Sequence, residues 1–382
     1  RDRSPSRGLG DVYKRQTFIV SYLFCWYGEQ LSKESGRKGA VPVFCLAVLV
    51  PAILAGIRDY TIGTDIATYG HWLFVAAKSS SNPMSFAIHN PSIDFLYSVF
   101  VYCIAHLFET EHWLYFFTGL LIYGFTLAGL FRYRKHISIS IAWLCYLFLF
   151  YGDTLNAMRQ CIALAILVLA FSYFQTRDMV KFGVLTVMAF LFHTTSIIIV
   201  LFVATYFLLE KKNDLQTRTC ILAVIVGLLL GYAKIIDVAV NIGLLDVKFL
   251  KYGNAISTGF SLNPLIIRLP YLLFIGLFYS AYAGKKKIGI RRTFADFTIL
   301  MIILEMLTAE MRSINPTLYR ISLYFGIYRC IGIGQLVKSL RLNNRRIITA
   351  IIWIMLTVTW YYQNVIQGNN QIYPFTSALI GI

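Results

Sequence analysis

Long, nearly uncharged apolar runs separated by short connections leave this chain few ways to fold. A stretch of about 20 apolar residues is long enough to cross a bilayer, and a backbone in lipid must satisfy its own hydrogen bonds, which favours helices or closed barrels. Runs such as 137–151 and 220–236 are continuous, whereas a barrel would show alternating segments of about ten residues. With 382 residues, 58% of them hydrophobic, and a mean hydropathy of +0.65, the composition lies well outside the soluble range. The expectation is an all-α fold, a polytopic transmembrane helix bundle of about 12–14 helices with little chain left for a soluble domain.

Charge gives the bundle a direction. From residue 137 onward, the connections at 175–178, 210–218, 284–292 and 338–346 carry most of the Lys and Arg, which marks the cytoplasmic side. Because the basic residues follow alternate connections and form no single stripe, the net charge of +17 implies no nucleic-acid partner. The seven cysteines include no CxxC pair, and the six histidines are scattered, so neither a disulfide framework nor a metal or other cofactor is implied. One inconsistency stands: the basic loops at 33–38 and 132–135 both read as cytoplasmic, yet three apolar runs lie between them. Something between 58 and 131 must be re-entrant, or one of those loops faces outward.

Residues 1–16 differ in kind, being polar and rich in Arg, Ser and Gly. Written back through the genetic code, Gly10 to Gln16 can be GGA GAT GTG TAT AAG AGA CAG, the mosaic end of a transposon used to prepare sequencing libraries. Residues 1–16 are therefore expected to be translated adaptor, and 17–382 a single transmembrane domain. Recovering the same codons with a different library chemistry would overturn that.

Ionisable groups near lipid are costly and tend to be functional, so those away from the basic loops are the site candidates. Arg58 is followed by Gly63, Thr64, Asp65 and Tyr69: a fixed cation, a residue that permits a tight turn, and a carboxylate. Interfacial anchoring by Arg58 and helix capping by Thr64 or Asp65 explain the same residues equally well. Arg159 and Gln160 open an apolar helix, where a guanidinium can fork onto a phosphate or simply snorkel. His193 sits at a polar corner before Thr194. Glu305 lies inside an apolar run, unusual enough to suggest a functional group or one paired with an Arg on a neighbouring helix; a buried ion pair that only holds helices together is the alternative. Arg320 follows on a late helix, and Arg268 and Arg329 are weaker candidates. Two longer stretches, 58–94 and 237–263, suit interfacial helices over a cavity and a lid, respectively.

The ordered set of Arg58 with Gly63-Thr64-Asp65 and Tyr69, Met158-Arg159-Gln160 with Ala163, His193-Thr194-Thr195-Ser196, and Leu318-Tyr319-Arg320 resembles the EpsG family of bacterial exopolysaccharide polymerases, which are Wzy-like. The family often has Glu where Asp94 stands, one carbon longer. The resemblance implies an inner-membrane glycosyltransferase that joins polyprenyl-pyrophosphate-linked oligosaccharide repeat units into polysaccharide, and a GT-C-like arrangement of helices is compatible with it. On that reading Asp65 is the first choice of base, with His193 and Glu305 as alternatives. Arg58, Gly63, Thr64, Tyr69, Asp94, Arg159, Gln160, Arg268 and Arg320 hold substrate, and the partners are the lipid-linked sugar, the growing chain, the bilayer and other exopolysaccharide assembly proteins. A flippase of the same lipid-linked sugar needs the arginines but no base; a membrane acyltransferase needs a catalytic histidine, for which His193 is the candidate.

Overall fold

The computed structural model describes residues 6–34, 36–242, 262–283, 289–310, 316–340 and 342–381. Among them there is no strand; helices account for nearly the whole chain. The α-helices are α1 (Ser6–Glu34), α2 (Gly36–Gly56), α3 (Leu73–Lys78), α4 (Pro83–His89), α5 (Phe95–Leu107), α6 (His112–Arg132), α7 (Ile139–Asn156), α8 (Met158–Gln175), α9 (Met179–Phe192), α10 (Ile199–Lys211), α11 (Leu215–Leu230), α12 (Tyr232–Asn241), α13 (Asn263–Ala283), α14 (Gly289–Glu310), α15 (Pro316–Ser339) and α16 (Leu342–Tyr361). Five segments are long and apolar enough to cross a membrane: Lys38–Gly56, His112–Arg132, Ile139–Asn156, Met158–Gln175 and Thr194–Lys211. This is a multi-pass membrane protein. Its helices group into two units, residues 1–199 with 340–382, and residues 200–339.

In the first unit, α7 and α8 form the core, and nearly every residue of α7 is buried. Such a helix has no polar face to show, so it must be surrounded by other helices or by lipid. The places where its neighbours break helical rules are matched by specific partners. Pro51 has no N–H to give the carbonyl of Ala47 one turn earlier in α2; Ser21 of α1 donates to that carbonyl at 2.5 Å, and Trp143 Nε1 of α7 donates to the Ser21 hydroxyl at 2.9 Å. Three helices are thus joined where one lost a bond. At the start of α7, buried Glu29 accepts from the Ser140 N–H at 3.0 Å and the Ser140 hydroxyl at 2.6 Å, giving a negative group to the positive end of a helix. Gly129 lets α6 come close to α8, where an added Cβ would lie 2.7 Å from Val168 Cγ1.

The helix ends sort into two sets. At the basic end, Arg132 leaves α6 and reaches α8, donating to Ser172 Oγ at 3.0 Å and Thr176 Oγ1 at 2.8 Å with its guanidinium over Tyr173. At the charge-poor end, His112 at the start of α6 meets the Gly56 carbonyl at the end of α2 at 2.9 Å. The conflict of crossings is resolved between these sets. α5 has 13 residues, about 20 Å of helix against a hydrocarbon core of about 30 Å. Asp94, which precedes α5, contacts Arg159 at the start of α8, and His112, five residues beyond α5, contacts Gly56. Both ends of α5 therefore lie at the charge-poor end, so α5 does not cross, and the loops at 33–38 and 132–135 share the basic end.

Within 58–94, where interfacial helices over a cavity were expected, lie a six-residue π-helical turn, Ala67–Trp72, and the short α3 and α4. Asn82 starts α4 by accepting from the Ser85 N–H at 2.7 Å, with Pro83 at the first helical position. Most of 237–263, the expected lid, lies outside the described residues. α1 runs without a break across residues 16 and 17.

The second unit is built on α14 and α15. Phe202, Phe297, Phe325 and Tyr328 form an aromatic cluster in which Phe202 and Phe297 each meet Tyr328 nearly at right angles, the geometry that ring quadrupoles favour. Buried Asp296 of α14 accepts from Asn213 Nδ2 at 2.5 Å and Arg218 Nη2 at 3.1 Å, fastening the connection before α11 to α14.

Candidate functional site

Three helix ends meet at the charge-poor end of the first unit. Asp94 stands just before α5 in extended conformation, Arg159 is the second residue of α8, and His193 follows α9, also in extended conformation. Asp94 Oδ2 accepts from Arg159 Nη1 at 2.9 Å and lies 3.0 Å from His193 Nδ1, while Asp94 Oδ1 accepts from the Thr194 N–H at 3.1 Å. Burial pushes the Asp94 carboxyl up, but the hydrogen bond and charge of His193, the charge of Arg159 and the Thr194 N–H together hold it below its usual range. The carboxylate is enclosed, with a side-chain exposure of 9%, whereas Arg159 and His193 are at 12% and 18%. The two partners are thus the groups that face outward.

Each is oriented by what holds it. The Arg159 guanidinium lies over the Tyr69 ring at 4.4 Å, and Tyr97 fixes that segment by donating to the Tyr69 carbonyl at 3.1 Å. With Nη1 engaged by Asp94, the Nε and Nη2 edges of Arg159 have no partner among the described residues. His193 offers Nδ1 to Asp94, which places its Nε2 on the opposite side of the ring. When Nδ1 carries the proton, Nε2 is the acceptor. No side chain caps the start of α8, so its first N–H groups add positive potential beside Arg159.

A second group of residues adjoins this one in sequence. Gly63 has a φ of +117°, and an added Cβ would lie 2.6 Å from Asn156 Oδ1, so both conformation and space require glycine. Asn156, the last residue of α7, accepts at Oδ1 from the Thr64 N–H at 2.5 Å and the Asp65 N–H at 3.4 Å. Its Nδ2 donates to the carbonyl and the Oδ1 of Asn370, at 3.0 and 2.8 Å. The Asp65 side chain is half-buried, and Asp65 does not serve as the cap of the helical turn that follows, which takes Ile66.

Arg58 is placed differently from an interfacial anchor. It is 1% exposed, donates to the Leu155 carbonyl at 3.2 Å, and has its guanidinium 4.8 Å from the centre of the Tyr115 ring; no carboxylate pairs with it among the described residues. Cation–π attraction of about 2 kcal/mol in a desolvated setting offsets part of the cost of burial. Gln160 is also buried, in the first turn of α8.

Glu305, Arg268 and Arg320 belong to the second unit. Glu305 Oε1 accepts from Arg268 Nε at 2.9 Å, and its Oε2 lies 2.6 Å from Arg329 Nε; all three side chains are buried. Both carboxylate oxygens thus face guanidinium groups. Arg320 is exposed on α15. Arg312 and Asn315, which adjoin this group in sequence, lie outside the described residues.

Asn370 is the contributor that sequence reasoning missed. Nothing near it carries charge, and its only local signal is the Gly368-Asn369-Asn370 series, which reads as a turn.

A family model described as the EpsG family matches residues 41–377 of the chain. No curated protein and no solved structure matches it.

Proposed function

The chain belongs to the EpsG family, and on that premise we propose that it is a membrane glycosyltransferase of the cytoplasmic membrane that polymerises polyprenyl-pyrophosphate-linked oligosaccharide repeat units on the outer face. The observation that carries this reading is the carboxylate of Asp94 holding a guanidinium and an imidazole side by side at the charge-poor end.

Glycosyl transfer from a pyrophosphate needs two things at once. The bond between the anomeric carbon and the pyrophosphate oxygen breaks as negative charge builds on the leaving group, and the acceptor hydroxyl loses its proton as it forms the new glycosidic bond. Arg159, with its free edges and the uncapped start of α8 beside it, meets the first need by stabilising the departing pyrophosphate. His193 meets the second, taking the hydroxyl proton on Nε2 while Asp94 holds Nδ1–H and stabilises the imidazolium that results. Asp94 is thereby a positioning residue, and its shorter side chain is compatible with the role because it needs to reach its neighbours and not the sugar. Asp65, on its glycine-dependent turn, orients the acceptor. Glu305 serves as a charge partner for Arg268 and Arg329 and not as a base, and Arg320 remains the anion ligand of the second unit.

The test is a purified preparation incubated with lipid-linked repeat units. A ladder of longer products from the unaltered protein, lost in His193→Gln, is the expected result. Movement of the lipid-linked sugar across vesicles without any ladder would replace the polymerase with a flippase.

A further inference from the structure

We propose that residues 370–378 form a strap that positions the Gly63-Thr64-Asp65 turn, with Asn370 and Asn156 as its coupling pair; the functional part of this rests on the polymerase reading above.

The strap is fastened at several points. Past α16, a turn at Gly368 reverses the chain, and Asn370 takes a φ of +64°, a conformation that asparagine tolerates better than most residues. From there the Asn370 side chain reaches α7 on two sides, donating Nδ2 to Asp153 Oδ1 at 3.0 Å and accepting from Asn156 Nδ2. Farther along, the Thr376 carbonyl accepts from the Asp59 N–H at 3.2 Å, the Ser377 hydroxyl donates to the Ile57 carbonyl, and the Ala378 N–H donates to Asp59 Oδ1 at 2.8 Å. One strand of irregular chain therefore grips both the residues that precede the turn and the helix end beneath it.

The coupling follows from the chemistry of a primary amide. Asn156 has one carbonyl oxygen and one NH2 group, which point in different directions within one planar carboxamide. Asn370 presents two acceptors, so it draws the NH2 group, and the oxygen is left facing Thr64 and Asp65. Without the Asn370 side chain the Asn156 NH2 group keeps only the main-chain acceptor, and the same oxygen is held less firmly where the two N–H groups converge. Gly63 contributes no side chain to this arrangement.

Asn370→Gly is the informative variant, since glycine keeps the positive φ and the main-chain acceptor while removing only the amide. Hydrogen exchange over residues 62–66 of the purified protein is expected to quicken at least about tenfold, a loss consistent with one or two hydrogen bonds. Polymerisation should show a raised KM for the acceptor or a reduced kcat at unchanged melting temperature. Asn369→Gly, which removes a side chain bonded only to Gln367 among the described residues, should leave both unchanged. Unaltered exchange at 62–66 in Asn370→Gly would overturn the strap. Faster exchange with wild-type kinetics would overturn its positioning role. Should the unaltered protein make no polymer, the polymerase reading falls while the exchange measurement still decides whether the strap holds the turn.

Discussion

At the scale of single residues, the central arrangement is one carboxylate serving two partners. Replacing Asp94 with Asn keeps the size but removes the charge that compensates Arg159, and a charge-assisted bond contributes about 1.5–3 kcal/mol. Asp94→Asn is therefore expected to lower both activity and melting temperature, the latter measurable in detergent. The pH dependence has a definite sign. Because the folded Asp94 carboxyl titrates below its usual range, its contribution is fully present above the unfolded value near 3.9 and is lost only as pH falls through the lower, folded value. A Lys at position 159 would keep the charge and could still meet Asp94, but its ammonium has no second edge to fork onto an anion and no planar group to stack on Tyr69, so Arg159→Lys should fail in the ladder assay. Arg320→Lys is expected to be impaired for the same lack of a fork. Full activity in both at normal abundance would reduce the arginines to anchors. For the base, His193→Gln should cost about 10² to 10⁴ in rate and Asp65→Asn clearly less; the reverse order would restore Asp65 as the base.

At the scale of elements, α5 is the decisive one. Cysteines placed at Pro91 and at Thr110, in a background lacking the native thiols, are expected to react with a membrane-impermeant reagent from the same, outer side. Labelling of one only after the membrane is opened would make α5 a crossing helix and return the conflict between the basic loops. Hydropathy alone could not separate α5 from a spanning segment, because 13 apolar residues look alike whether they cross or fold back. What separates them is contact between residues distant in sequence. The same limit applies to the site. Its charged members were legible one by one, since Arg159 and His193 interrupt apolar runs, but their convergence on Asp94 depends on α5, α8 and α9 ending together. Arg58 shows the opposite failure: a cation after an apolar run reads as an anchor, and only its burial against the Tyr115 ring reveals otherwise. Asn370 showed only a turn, because an uncharged amide in a turn looks the same whether it meets water or another amide.

At the scale of the whole molecule, the two units concentrate charge in different ways. In the first, ionisable groups gather at helix ends; in the second, Glu305 is embedded between Arg268 and Arg329. Glu305→Gln would leave two guanidinium groups without their counter-charge, a change that costs about 3–5 kcal/mol in buried pairs. It should lower the amount of protein recovered in the membrane, whereas His193→Gln should not. Normal abundance of Glu305→Gln together with a lost ladder would move Glu305 from scaffold to chemistry.

The strap also ties the site to the direction of protein synthesis. Asn156 and Asn370 are 214 positions apart, and at ribosomal speeds of 5–20 residues per second that interval lasts about 10–40 s. During it, the first helices are already in place, yet the turn bearing Asp65 has no clasp. Sugar-bearing lipids thus meet a finished turn only after residues 370–378 have been made and have folded back onto the start of the chain.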